Sequence, residues 1–388
     1  MIMHELISFE ILRVIWWLLI GLMLIAFALT DGFDMGVGAL LPFVAKDDVE
    51  RRIVINTVGP VWEGNQVWFV LGGGSIFAAW PPLYAISFSG FYLAMFLILA
   101  ALIFRPVAFK YRSKRDDPRW RAMWDRALFL SGTVPPLLFG VAVGNVLLGV
   151  PFHLTDDLHA VYEAGPLMKL FGMLRPFAIL CGVVSVAMMV MHGAGWLVLK
   201  TEGAIQARAR DYGAKAAVVV LAGYALAGLW MAFGIDGFAF VTEPPHDGPS
   251  NPLVSEVVHQ GSWFAAYATR PWIIIAPIMG FVGTGMAMRA LRNTRDELSP
   301  LMWSKMAIVG MISSVGLVMF PFILPSNTNP NSSLTVWDAS SSHLTLFVML
   351  ICAVIFLPLI LLYTAWVYRT LWGKVTEADV TDPDTHSY

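Results

Sequence analysis

The chain has 388 residues, 57% hydrophobic and 13% charged, against roughly 45–50% and about 25% in soluble domains. A soluble core cannot hold that excess, and 25 basic against 27 acidic residues leave no basic surplus. A soluble enzyme, a disordered chain and a nucleic-acid binder are therefore excluded.

Residues 64–104 and 127–152 contain no Asp, Glu, Lys or Arg, the mark of membrane spans. Cutting the chain at polar breaks predicts about nine helical spans in one integral-membrane domain over 1–388. They lie near 11–30, 53–79, 83–104, 122–149, 168–199, 213–235, 272–291, 302–325 and 340–368. All must be helices, because an unpaired backbone amide in lipid costs several kcal/mol and no barrel alternation is present. The fold class is thus an all-α polytopic membrane protein. Several segments exceed the ~20 residues a bilayer needs, so tilt and kinks at Pro135-Pro136, Pro176 and Pro358 are expected.

The first segment ends in Ala26-Phe27-Ala28, like a signal peptide, but Glu5 and Glu10 outweigh Arg13 before it and argue against cleavage. Beyond it comes Asp31-Gly32-Phe33-Asp34-Met35-Gly36-Val37-Gly38, expected at the inner end of span 1. Asp31 and Asp34 are i, i+3 and share a face if the helix continues. Arg105, at the matching end of span 3, is a candidate partner, and a helix-end ion pair that only fixes packing is the plainer reading.

In the second segment Glu63 falls about ten residues in, which at ~1.5 Å per residue is ~15 Å, near the middle of a ~30 Å core. It is the one acid expected deep in a span, where a carboxylate costs roughly 2.5–3.5 kcal/mol and is a functional candidate by default. Its neighbours Trp62, Asn65, Gln66 and Trp68 suit a protein-facing or water-filled surface. Two readings stand: a proton carrier supplied by water, or a hydrogen-bonded structural acid. Gly72-Gly73-Gly74-Ser75 lacks the strand and the Gly-Lys-Ser/Thr of a phosphate loop. Tight helix packing is expected there, as at Gly140 and Gly144.

Of eight histidines only His192 lies well inside a span, with His343 at the start of another. Paired axial haem ligands at matching depth are not evident. Cys181 and Cys352 sit in apolar runs, outside any C-x-x-C pair, so cysteine-based zinc and iron–sulfur sites are excluded.

Across the loops, 21 of the 25 basic residues mark one face, leaving Arg13, Lys169, Arg175 and Arg270 on the other. The positive-inside rule then puts the N-terminus outside and the C-terminus in the cytoplasm. The outer connections 150–167 and 236–271 are acidic and rich in Pro and Gly, and the latter is long enough to fold over the bundle.

Long motifs resemble subunit II of the cytochrome bd quinol oxidases along the whole chain. They are Thr30-Asp31-Gly32-Phe33-Asp34-Met35-Gly36-Val37-Gly38, Gly59-Pro60-Val61-Trp62-Glu63-Gly64-Asn65-Gln66-Val67-Trp68 and Phe77-Ala78-Ala79-Trp80-Pro81, then Phe104-Arg105-Pro106-Val107, Gly144-Asn145 and Gly234-Ile235-Asp236-Gly237. Phe320-Pro321-Phe322, Ser333-Leu334-Thr335-Val336-Trp337-Asp338 and Leu362-Tyr363-Thr364-Ala365-Trp366 continue the match. The resemblance implies two four-helix bundles plus one peripheral helix, in the bacterial cytoplasmic membrane.

It further implies an oxidase that takes electrons from a membrane quinol and reduces dioxygen to water without pumping. In that family two b-type haems and haem d sit in subunit I, and this subunit supplies no axial ligand. Some members hold a quinone here as a structural lipid, and small single-span accessory subunits join the pair. Glu63 matches a carboxylate on a proton path from the cytoplasm, where many members have aspartate; the extra methylene moves the carboxyl by ~1.5 Å, so partners cannot be copied across. Asp31, Asp34 and Arg105 would shape the uptake, Asn65 and Gln66 would hold water, and Trp68 matches a position beside a dioxygen route in some members. A secondary transporter would instead show inverted repeats, and neither acidic motif recurs in the second half. A purely structural anchor for a catalytic partner is the other alternative.

Overall fold

The computed structural model describes residues 6–381, which leaves Glu5 outside. Helix α1 (Phe9–Val44) starts at Ser8, whose hydroxyl caps the amide of Ile11. Its 36 residues rise about 54 Å. It therefore carries the whole Asp31–Gly38 run inside the helix instead of ending near residue 30.

Asp47 caps α2 (Asp48–Val58) by accepting from the amide of Glu50 at 2.8 Å. The continuous span expected over 53–79 is then interrupted. Pro60 has no N–H to extend the α2 ladder, and a new helix, α3 (Trp62–Ala79), begins after it. Trp80 leaves the helical region, Pro81 opens α4 (Pro81–Gly90), and the two helices meet at 118°.

The chain continues through α5 (Tyr92–Tyr111), α6 (Pro118–Leu148), the short α7 (Pro166–Gly172), α8 (Pro176–Lys200) and α9 (Gly203–Gly234). Next come α10 (Ala265–Thr269), α11 (Ile275–Arg292), α12 (Ser299–Met319), α13 (His343–Thr370) and α14 (Glu377–Thr381). Pro135, Pro136 and Pro358 lie inside helices, whereas Pro176 opens α8, where a missing N–H costs nothing. Among the described residues eight helices are long and apolar enough to cross a membrane, or nine if the bent α3/α4 pair is one span.

Helices α1, α3, α5 and α6 pack as one bundle and α8, α9, α11 and α12 as a second, joined where α1 and α6 both meet α8. Helix α13 is peripheral: it touches α1 and α3, and only Leu346 along it is buried. Eight or nine candidate spans in two bundles with a peripheral helix thus agree with the fold class expected. Gly140 and Gly144 do lie tight against α8, but Gly73 and Gly74 have nothing within 4 Å of an added Cβ, so packing does not explain that glycine run.

The connections at the end where α1 begins carry three small antiparallel pairs: β1 (His153–Leu154) with β2 (Ala160–Val161), β3 (Phe238–Thr242) with β4 (Glu256–His259), and β5 (Phe322–Leu324) with β6 (Leu334–Thr335). We call this end the loop face and the opposite one, with most Lys and Arg, the basic face. The 236–271 connection does fold over the bundle. Buried Arg13 ties it down, donating to Ser340 Oγ (2.8 Å), Gly248 O (3.0 Å), Ser250 Oγ (2.9 Å) and His246 O.

His246 stacks on Trp337 at 4.1 Å and bonds Glu10 through Nδ1 (3.0 Å) and Glu243 through Nε2 (2.9 Å). Two carboxylate acceptors require a proton on each nitrogen. Desolvation lowers the pKa of His246, but the hydrogen bonds with Glu243 and Glu10 outweigh it and hold the value above 6.5. A raised value in the folded state means that the latch is complete below the ordinary histidine pKa and is lost as pH climbs through the raised one. Hydrogen-exchange protection of residues 243–250, corrected for intrinsic rates, is therefore expected to drop as pH rises above 6.5. His246→Gln should flatten that dependence; a wild-type pH response in this variant would refute the latch.

Candidate functional site

Because α1 runs on past them, Asp31 and Asp34 lie inside the protein: Asp31 is fully buried and Asp34 is 4% exposed. They stand about 20 Å and about 15 Å before the helix end at Val44, at ~1.5 Å per residue. Arg105, 3% exposed on α5, donates through Nη1 to Asp31 Oδ1. The partner named from sequence is thus in place. From α3, Asn65 Nδ2 donates to Asp34 Oδ2 at 2.8 Å, and Asn65 Oδ1 accepts from the Tyr368 hydroxyl of α13 at 2.5 Å.

Two acids and one base leave one carboxylate charge without a counter-ion when all are ionised. Protonating one acid would balance the remaining pair. Asp31 Oδ2, Asp34 Oδ1 and Arg105 Nη2 are buried without a hydrogen-bond partner among the described residues. Beside them lies a cavity of about 20 Å³ lined by Asp34, Arg105, Ser131, Leu41, Ile55 and Phe109, large enough for one water. Leu41 and Ile55 lie nearer the basic face, so the cavity extends from the acids in that direction.

Glu63 stands elsewhere. The break at Pro60 makes it the second residue of α3, exposed on an outward stripe with Val67, Val70 and Phe77. A carboxylate in a first helical turn complements the positive end of the helix. Of these three acids Asp31 and Asp34 are buried in the protein and Glu63 is exposed on its wall, while the Asn65–Asp34 bond puts Glu63 at nearly the level of Asp34 along the bundle. Gln66, half-buried, is outside the network. Trp62 is buried against Phe109 (ring centroids 5.5 Å apart) and so flanks the cavity, while Trp68 is buried in the apolar core around Phe27 and Trp80.

Sequence reasoning missed Tyr368 and Ser131. Tyr368 lies 303 positions from Asn65, and no local pattern marks it among the apolar residues of α13.

His192 does not fit as a haem ligand. Both ring nitrogens are engaged, Nδ1 with Ser304 Oγ (2.7 Å) and Nε2 with Leu29 O (3.0 Å), and the residue packs against Phe33. Near the loop face, His343 Nε2 bonds Ile7 O at 2.8 Å. Among the described residues no three His, Cys, Asp or Glu converge as a metal set.

Residues 12–371 match the family described as cytochrome bd terminal oxidase subunit II. The chain belongs to that family. It is 47% identical to cytochrome bd-I ubiquinol oxidase subunit 2 of Escherichia coli K12 over 382 residues, 98% of this chain and 99% of the relative. The probable cytochrome oxidase subunit 2 of Haemophilus influenzae is 45% identical over the same shares, and cytochrome bd ubiquinol oxidase subunit 2 of Bacillus subtilis 30% identical over 94% and 97%. The solved bd oxidase from Geobacillus thermodenitrificans shares the fold, with a TM-score of 0.66 at 14% identity, covering 92% of this chain and 98% of that one. This subunit II is thus a multi-pass membrane component of a terminal oxidase, which excludes the transporter alternative.

Proposed function

We propose that this subunit II takes up protons from the cytoplasm and passes them toward haems held by its partner subunit. The complex oxidises a membrane quinol, releasing protons outside, and reduces dioxygen to water with protons drawn from inside. Charge separates across the inner membrane without a pump. The distribution of basic residues supports this orientation, with the start of α1 outside and α14 in the cytoplasm.

The observation that carries the reading is the buried Asp31–Arg105 and Asp34–Asn65 network beside a water-sized cavity on its basic-face side. Asp34 loads the proton, Asp31 and Arg105 hold the local charge, and Asn65 connects the acids to α3. Glu63 lies two residues from Asn65 on the outward side of that helix. A carboxylate on an apolar wall costs roughly 2.5–3.5 kcal/mol in lipid, so this wall suits a protein partner, and Glu63 delivers protons across the contact. Of the protein-facing and water-filled surfaces expected for it, this is the protein-facing one.

Glu63→Gln in the purified complex is expected to cut oxygen consumption at least tenfold and slow proton uptake, with the haem spectrum unchanged. Unchanged consumption and uptake would sink the delivery role. If Asp34→Asn and Asp31→Asn were also without effect, the structural anchor would be the better account.

A further inference from the structure

We propose that Tyr368, on the peripheral helix α13, is a positioning residue that sets which end of the Asn65 amide faces Asp34. The inference rests on the reading that Asp34 loads protons, and it adds the group that lets Asp34 do so in both charge states.

An amide side chain has one donating and one accepting end and can exchange them by a half-turn. The ionised Asp34 carboxylate only accepts, so it requires Nδ2, which leaves Oδ1 of Asn65 facing α13. There the Tyr368 hydroxyl donates to it. A protonated Asp34 can instead donate to Oδ1; Nδ2 then turns to α13, where the same hydroxyl oxygen accepts. A hydroxyl both donates and accepts, so each charge state of Asp34 finds a fully paired chain. A phenyl ring would leave one end of the buried amide unpaired in both, with a penalty that differs between them.

Packing and hydrogen bonds on both sides hold Tyr368 in place. Its ring sits edge-on to Phe33 (6.3 Å) and Trp196 (5.9 Å), which stack on each other at 4.1 Å. The chain beyond it is pinned by Lys200, whose Nζ donates to Leu371 O (2.6 Å) and Gly373 O (3.0 Å), and by the Lys374–Glu297 pair at 2.7 Å. Helix α13 is otherwise loosely attached, so these contacts fix it where Tyr368 links it to the acid network.

The test uses the complete oxidase complex, with oxygen consumption measured against pH. Tyr368→Phe and Asn65→Leu are each expected to lower turnover about fivefold to tenfold and displace the midpoint of the pH profile by at least about half a unit. The double variant should be no worse than Asn65→Leu, because the hydroxyl acts only through the amide. An unmoved profile in Tyr368→Phe, or effects that multiply in the double variant, would overturn the inference. If Tyr368→Phe does not assemble, fluorotyrosine at 368 keeps the shape and alters the hydroxyl's acidity; a displaced profile supports the proposal and an unmoved one refutes it. Asp34→Asn separates the two levels. A wild-type profile in that variant removes the proton-loading reading itself, whereas a strong effect there beside a silent Tyr368→Phe removes only the role of Tyr368.

Discussion

Arg105→Leu is expected to abolish accumulation of the haem-containing complex, and Asp31→Asn in the same chain to restore most of it. The Arg105 side chain is 3% exposed and that of Asp31 is fully buried. Removing the base leaves a carboxylate uncompensated in a water-poor interior, which costs about 3–5 kcal/mol. Whole proteins are stable by only about 5–15 kcal/mol, so one such charge takes a large share. Asparagine at 31 keeps the shape and removes the charge, so the double variant loses a pair instead of stranding one member. The check is the amplitude of the reduced-minus-oxidised haem spectrum in solubilised membranes. Wild-type amplitude in Arg105→Leu, or no recovery in the double variant, contradicts the assignment. Lys215–Asp211, with side chains 68% and 58% exposed, provides the contrast: solvent screening leaves such a pair with little effect, and Lys215→Ala should accumulate normally.

The sequence resolved the architecture better than the burial of its acids, for a physical reason. Apolar length and the sidedness of basic residues are averages over some twenty positions, so the helix count survives errors of several residues at each end, whereas the bundles and the peripheral helix came from the family resemblance. Burial of a side chain depends on where its helix starts and which way it is turned. Pro60 ends one helix and α3 starts anew with Glu63 on its outer wall, while α1 runs unbroken past Thr30 and carries Asp31 and Asp34 into the packed interior. The Asp31–Arg105 pairing was legible because the sequence puts both residues at one level of nearby spans, and they stay level although α1 runs on past Asp31. The link from Tyr368 to Asn65 was not, since it depends on how a loosely attached last helix crosses the bundle.

The second large effect concerns the seam between the bundles. A Cβ at Gly36 would lie 1.9 Å from the Met189 carbonyl oxygen of α8, and one at Gly193 would lie 2.5 Å from the Gly36 carbonyl carbon. Both obstacles are backbone, so the helices themselves must move apart. Lipid tails are as apolar as leucine, and helices in a membrane associate through close packing and polar contacts more than through the hydrophobic effect. Gly36→Ala is expected to destabilise the complex by about 3 kcal/mol, the upper part of the range for overpacking, and Gly36→Val to prevent accumulation. Gly285→Ala, where nothing lies within 4 Å of the added carbon, is the neutral control. Thermal unfolding of the purified complex gives the ordering, and equal stability of Gly36→Ala and Gly285→Ala would refute it. The same displacement reaches the acids. His192, next to Gly193, holds Leu29 O at 3.0 Å, two residues before Asp31, so moving α8 also pulls on the turn of α1 that carries the pair. Gly36→Ala complexes that do assemble should therefore lose oxidase turnover at temperatures well below their unfolding transition.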